Sequence, residues 1–282
     1  MVEVLVHFVA PALVGVLIGI ASGLLGIGGG TVMVPIFRLA FGMSATMSTA
    51  TSLFAIIPTS ISGAISHVKG KTCIPALGIA AGLGGACMSP IGVWLAQLSP
   101  DWLVMLAAAL IIGYSAINMF KKAFKLRPAG QPAAGADAAA SSGEPAASAP
   151  TVDDSPLSRK QLLQGAAIGL VAGLASGYVG VGGGFIMVPL MLSIIGIPMR
   201  KASGTSLIAV MILAIPGVIE QGIIGNINYL AGIAIVIGTI PGAVIGAKLV
   251  TKVPERTLRL LFGCFLIVAA IMLVLNEVGV LG

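Results

Sequence analysis

Two short stretches hold the residues whose chemistry is most suggestive: Gly28-Gly29-Gly30-Thr31 and, 154 residues later, Gly182-Gly183-Gly184-Phe185. Consecutive glycines followed by a short apolar run permit a sharp reversal or an unwound segment from which a new helix starts. The first N–H groups of that helix have no internal partner and sit at the positive end of its dipole. Two such starts facing each other would make a pocket of donors suited to an anion. Pro35 and Pro189 fit near a helix start better than its middle. A hydrogen bond to a charged group contributes about 1.5 to 3 kcal/mol, so several would offset much of an anion's dehydration cost without a buried Lys or Arg. Neither stretch completes G-x-G-x-x-G and no G-K-[ST] follows, which excludes a nucleotide loop.

A second candidate lining is "MSTATSL" at 47 to 53 with "KASGTSL" at 201 to 207. The hydroxyls of Thr51, Ser52, Thr205 and Ser206, with Ser48, Thr49 and Ser203, stand at the start of an apolar run, where they either cap a helix or donate to a ligand. Ionisable groups in or beside the runs are few: His67, Asp101, Glu220 and Lys248. His67 and Glu220 are the candidates for proton coupling. They align with Gln221 and Ser66, so coupling would be one-sided. Cys73, Cys87 and Cys264 stand singly in apolar stretches and are expected to be packing residues. No metal-ligand set or catalytic constellation is present, so neither an enzyme nor a metal or other cofactor is expected.

The elements that must position these residues are membrane spans. Of the 282 residues 57% are hydrophobic and 9% charged, with mean hydropathy +1.10, against about 25% charged in a soluble domain. The net charge of +6 does not point to nucleic acid, because the basic residues cluster at the ends of apolar runs. Apolar runs fall at about 8–27, 31–43, 49–66, 73–97 and 101–120, and again at 161–180, 185–198, 203–222, 228–250 and 256–275. The second run of each set is too short to cross upright, since a span needs about 20 residues. The first run reads as a retained span rather than a signal peptide.

The chain therefore divides into residues 1–126, a first transmembrane repeat; 127–156, a Pro-, Ala- and Ser-rich linker expected to be disordered in the cytoplasm; and 157–282, a second repeat. The halves superpose in sequence without a gap: Ser22 on Ser176, the glycine breaks on each other, "TSL" at 51 on "TSL" at 205, and Pro100-Asp101 on Pro254-Glu255. If each half crosses an odd number of times, Lys69, Lys71, Lys121, Arg159, Arg200, Lys252 and Arg256 gather on one side and only Arg38 on the other. The excess of cations in cytoplasmic loops then puts both termini in the periplasm and the halves in inverted orientation. The expected fold is an all-α polytopic membrane protein of two inverted repeats, each of about five apolar segments with glycine-broken helices or re-entrant hairpins, about eight to ten transmembrane segments in all.

With the paired G-x-x-G-x-G-G-G-x-x-x-V-P motifs, the "GTSL" at 204–207 and the linker in view, the chain resembles the TauE/SafE sulfite exporter family, also called the 4-toluene sulfonate uptake permease family. The first half departs slightly, with "ATSL" at 50–53. The resemblance implies a transporter in the bacterial inner membrane for small sulfur-containing anions such as sulfite, sulfonate, sulfoacetate or thiosulfate. Joined to the glycine breaks, it gives an expected alternating-access carrier that holds its anionic substrate between the repeats, with a passive anion channel on the same scaffold as the alternative.

Overall fold

A computed structural model describes residues 10–125 and 158–277; the linker at 127–156 and the residues nearest both termini lie outside the described residues. The first half forms α1 (Ala10–Leu25), α2 (Gly30–Phe41), α3 (Ala45–Lys69), α4 (Pro75–Leu98) and α5 (Asp101–Lys125). The second forms α6 (Arg159–Val179), α7 (Gly184–Leu190, continued by a π turn over Met191–Ile195), α8 (Met199–Ile224), α9 (Tyr229–Leu249) and α10 (Glu255–Glu277). Seven of these are long and apolar enough to cross a membrane, while α1, α2 and α7 with its π turn are shorter.

Helix ends follow from local chemistry. Ser44 caps α3 through the Met47 N–H, Asn228 caps α9 through that of Ala231, and Ser158 with Gln161 forms a reciprocal capping box on α6. The duplicated acidic residues have a role that their position at run ends conceals. Asp101 Oδ2 accepts from the Ala45 N–H at 3.3 Å, and Glu255 Oε1 accepts from the Met199 N–H at 3.2 Å. Each carboxylate thus sits at the positive end of the long third helix of its own half.

Direction along the helix array can be read from side-chain neighbours. The Asn228 N–H donates to Thr51 Oγ1 at 3.0 Å, so α3, α5 and α9 begin at one end of the molecule. The Ile74 N–H donates to Thr205 Oγ1 at 2.9 Å, so α4, α8 and α10 begin at the other, together with α6, which runs parallel to α4. The two halves are therefore inverted. Lys69, Lys121, Arg159, Arg200, Lys252 and Arg256 all fall at the end where α5 stops and α6 starts, called here the linker end. Lys248, in the last turn of α9, joins them.

The repeats also interlock. The closest helix pairs are α1 with α9 and α4 with α6, so the first helix of each half lies along the fourth helix of the other. Small residues permit this approach: a Cβ on Gly19 would overlap the Thr239 carbonyl, and one on Gly173 the Gly85 carbonyl. The central position goes to α3, whose apolar window is 72% buried against 33% for α10. Cys87 and Cys264 are exposed on outward helix faces and Cys73 is half-buried. The expected packing role fails for the first two because the lipid-facing surface of such a fold is as apolar as its core.

Candidate functional site

α1 runs toward the linker end, where the Gly23 carbonyl accepts from His67 Nε2 at 2.8 Å. The chain then turns back through Gly26 to Gly29, and α2 starts at the level of Ile56, halfway along α3, before returning to the end where α3 begins. α6 and α7 make the inverted counterpart. The short second segment of each half is thus re-entrant and does not cross.

Gly28 and Gly29 adopt φ of 82° and 87°, and Gly182 and Gly183 adopt 88° and 67°, a left-handed region costly to any residue with a Cβ. The two breaks meet. A Cβ on Gly30 would lie 2.5 Å from the Val181 carbonyl oxygen, and one on Gly184 would overlap the Gly26 carbonyl. Ile56 and Val210, equivalent residues at the middle of α3 and α8, close over Gly182 and Gly28 at 2.8 and 2.9 Å on the same measure. The predicted pair of facing helix starts is therefore assembled at the centre of the molecule.

Around it lie polar groups with nothing to bond. The N–H groups of Gly28, Gly29 and Gly30 donate to no backbone carbonyl among the described residues. The hydroxyls of Ser22, Thr31, Ser52, Ser60 and Ser176 are buried without a hydrogen-bond partner. Ser22 and Ser176 face Gly29 and Gly183, and Ser60 Oγ would be 3.5 Å from a Cβ on Gly28. Each buried hydroxyl left unpaired costs about 1 to 3 kcal/mol, which makes this cluster the candidate site. Lys and Arg are absent from it, leaving only neutral donors.

The remaining predicted residues fall as follows. Phe185, Ser206 and Thr205 are fully buried, as are Thr31, Thr51 and Ser52. Ser206 Oγ donates to the Gly26 carbonyl at 2.7 Å, fixing the first break. Thr51 and Thr205 are drawn to opposite ends of the molecule, where their hydroxyls accept from the opposite half's fourth helix. Thr49 and Ser203 bond carbonyls of their own helices. His67 is fully buried near the linker end, with Nδ1 2.7 Å from Thr72 Oγ1; because its other ring nitrogen meets a carbonyl, Nε2 is a donor. Glu220 is half-buried toward the opposite end with Oε2 unpaired. The two coupling candidates are thus far apart.

The sequence singled out the glycines as candidates but not Ser22, Ser176 and Ser60, which the structure sets beside them. The available signal was the recurrence of serine at 22 and 176, four residues before Gly26 and Gly180. No group of three or more His, Cys, Asp or Glu able to hold a metal ion occurs among the described residues.

Comparison with known proteins identifies the family and nothing finer. YunE and YdhB of Bacillus subtilis, each described as a probable membrane transporter protein, are both 28% identical, over 95% of this chain and 97% of the first relative and over 88% and 92% for the second. A probable membrane transporter protein of Haemophilus influenzae is 29% identical over 92% of this chain and 95% of its own. No solved structure matches. The family model for the sulfite exporter TauE/SafE matches residues 11–273, and the chain, a multi-pass membrane transporter built on two inverted and interlocked repeats, belongs to that family.

Proposed function

We propose that this protein is a secondary transporter that moves small sulfur-containing anions, of the sulfite, sulfonate, sulfoacetate or thiosulfate type, across the bacterial inner membrane by alternating access. The observation that carries the reading is the meeting of the two breaks: unpaired N–H groups of Gly28 to Gly30 beside the unpartnered hydroxyls of Ser22, Thr31, Ser60 and Ser176, with no charged side chain among them. Neutral donors suit an anion that must be released again, because a buried Lys or Arg would hold it as an ion pair. Thr31, Ser52, Phe185 and Ser206 are fully buried, which supports an occluded carrier over a continuous anion channel. Inverted repeats with broken helices are a recurring plan of such carriers.

The cation-rich linker end faces the cytoplasm on this reading and both termini the periplasm. Single cysteines at Val2 and Ala138, on a background lacking the three native ones, should be labelled by impermeant thiol reagents from opposite faces; labelling from the same face would remove the proposed orientation. For the cargo, the protein is reconstituted in proteoliposomes with radiolabelled sulfite, thiosulfate and a sulfonate, with and without a pH gradient. Saturable flux of one of them that responds to the gradient is expected, and no flux of any from folded protein would refute the proposal.

A further inference from the structure

At the linker end, away from the glycine breaks, three arginines stand in the first turns of α8 and α10, which meet there. The Met199 N–H and Arg259 Nη2 both donate to Glu255 Oε1. Arg200, the next residue of α8, donates through Nη2 to the Val253 carbonyl at 2.9 Å, two residues from Glu255. Arg256 follows Glu255 directly in α10. The first turns of α8 and α10 thus carry three arginines against one carboxylate, of which only Arg259 pairs with it, and the Nε of all three is buried without a partner. Membrane topology alone does not account for them. Cations that only set orientation are solvated, as Lys69, Lys71, Lys121 and Lys252 are here, all exposed, whereas the arginines are half-buried with donors turned inward. Nor are they inherited from the duplication, because the equivalent residues of the first half are Thr46, Trp102 and Met105.

An excess of guanidinium over carboxylate in a partly desolvated place is unfavourable unless an anion completes it, and the planar fork of Arg, unlike the ammonium of Lys, matches tetrahedral oxyanions through paired hydrogen bonds. We propose that Arg200, Arg256 and Arg259 form a second anion site, for an oxyanion of the phosphate class, at the linker end of α8 and α10. That chemistry has two sources: the headgroup of an anionic phospholipid, within reach because α10 is also lipid-facing, or free phosphate. The site is independent of the cargo proposed above, so its test reads binding and not flux.

The full-length protein is reconstituted in nanodiscs of phosphatidylcholine and titrated with inorganic phosphate, and separately in nanodiscs containing increasing phosphatidylglycerol, with thermal stability followed in both. Saturable stabilisation is expected in at least one arm, and the arm that responds names the source. Arg256→Gln, which breaks no intramolecular hydrogen bond, should weaken the response at least about tenfold, while Lys252→Gln, the same charge change on an exposed neighbour, should leave it unaltered. Equal losses in both variants would show a diffuse basic surface and overturn the proposal. So would the absence of a saturable response in both arms.

Discussion

The two glycine breaks share a backbone and differ in chemistry. In the first, Ser206 reaches across from the other half to hold the Gly26 carbonyl, while in the second the equivalent Ser52 has no partner. The N–H of Gly30 is unpaired, but that of Gly184 is turned onto the Gly182 carbonyl at 2.8 Å. Thr31 brings an orphaned hydroxyl where the second half has Phe185. Near the linker end His67 fastens α3 to Gly23 of α1; its counterpart Gln221 instead accepts from Asn226, the residue equivalent to Thr72, at 2.8 Å. Duplication thus preserved what the interlocked fold needs, and the polar side chains drifted apart afterwards. On the alternating-access reading proposed above, a two-fold scaffold around a one-sided site would let the halves move alike while the ligand is held in a single orientation.

Substitutions that treat the halves separately test this. The largest effect is expected from Gly29→Val and Gly183→Val, because a β-branched residue at φ of 87° or 67° costs about 1 to 3 kcal/mol of strain and crowds Ile18 and Met33 at the first break and the Ala172 carbonyl at the second. Both variants should insert and purify normally yet show background flux; wild-type flux in either would remove its break from the site. Next comes His67. His67→Ala leaves the Gly23 carbonyl unpaired and should lower stability by about 1 to 3 kcal/mol. His67→Gln borrows the second half's residue and should recover most of that stability; if His67 also relays protons, it should lose the response to a pH gradient while keeping exchange. Stability recovered with the gradient response intact would leave His67 as a fastener only.

A smaller and divergent pair is Ser206→Ala against Ser52→Ala. Removing the bond to Gly26 should cost about 1 kcal/mol, read as a fall in Tm. Removing the unpartnered Ser52 hydroxyl should leave Tm level and raise the KM for the anion. Identical behaviour of the two would erase the contrast between the breaks. The smallest effects, and equal ones, belong to Thr51→Val and Thr205→Val, each losing one acceptor for a fourth-helix N–H, about 0.5 to 1.5 kcal/mol. Unequal losses would show that these threonines do more than join the halves.

The inverted repeats and the sites of both breaks were legible because glycine density, apolar run length and cation placement are one-dimensional signals. That the second segments return and do not cross followed from their lengths only as an alternative to full crossing. Its resolution needed the contacts of Gly28 and Gly30 with Ile56, Val210 and Val181. The threonines were ambiguous between capping and ligand binding for a physical reason: a hydroxyl at a helix start serves either. Here Thr51 and Thr205 meet residues 177 and 131 positions away in sequence, so no local pattern announces their partners. Ser60 could not be singled out, because its equivalent is Ala214 and a buried serine is ordinary in a membrane helix until its hydroxyl is seen to have no partner. The exposed Cys87 and Cys264 illustrate the converse, since hydropathy does not separate a lipid-facing position from a core one.

The most direct test of the claim that both breaks form one anion site is equilibrium binding of radiolabelled sulfite to the purified protein, compared with Ser22→Ala and Ser176→Ala, whose hydroxyls make no other hydrogen bond. The account predicts saturable binding in the wild type, weakened about tenfold or more by either substitution with Tm unchanged. Saturable binding that neither substitution alters would place the anion elsewhere and contradict the account.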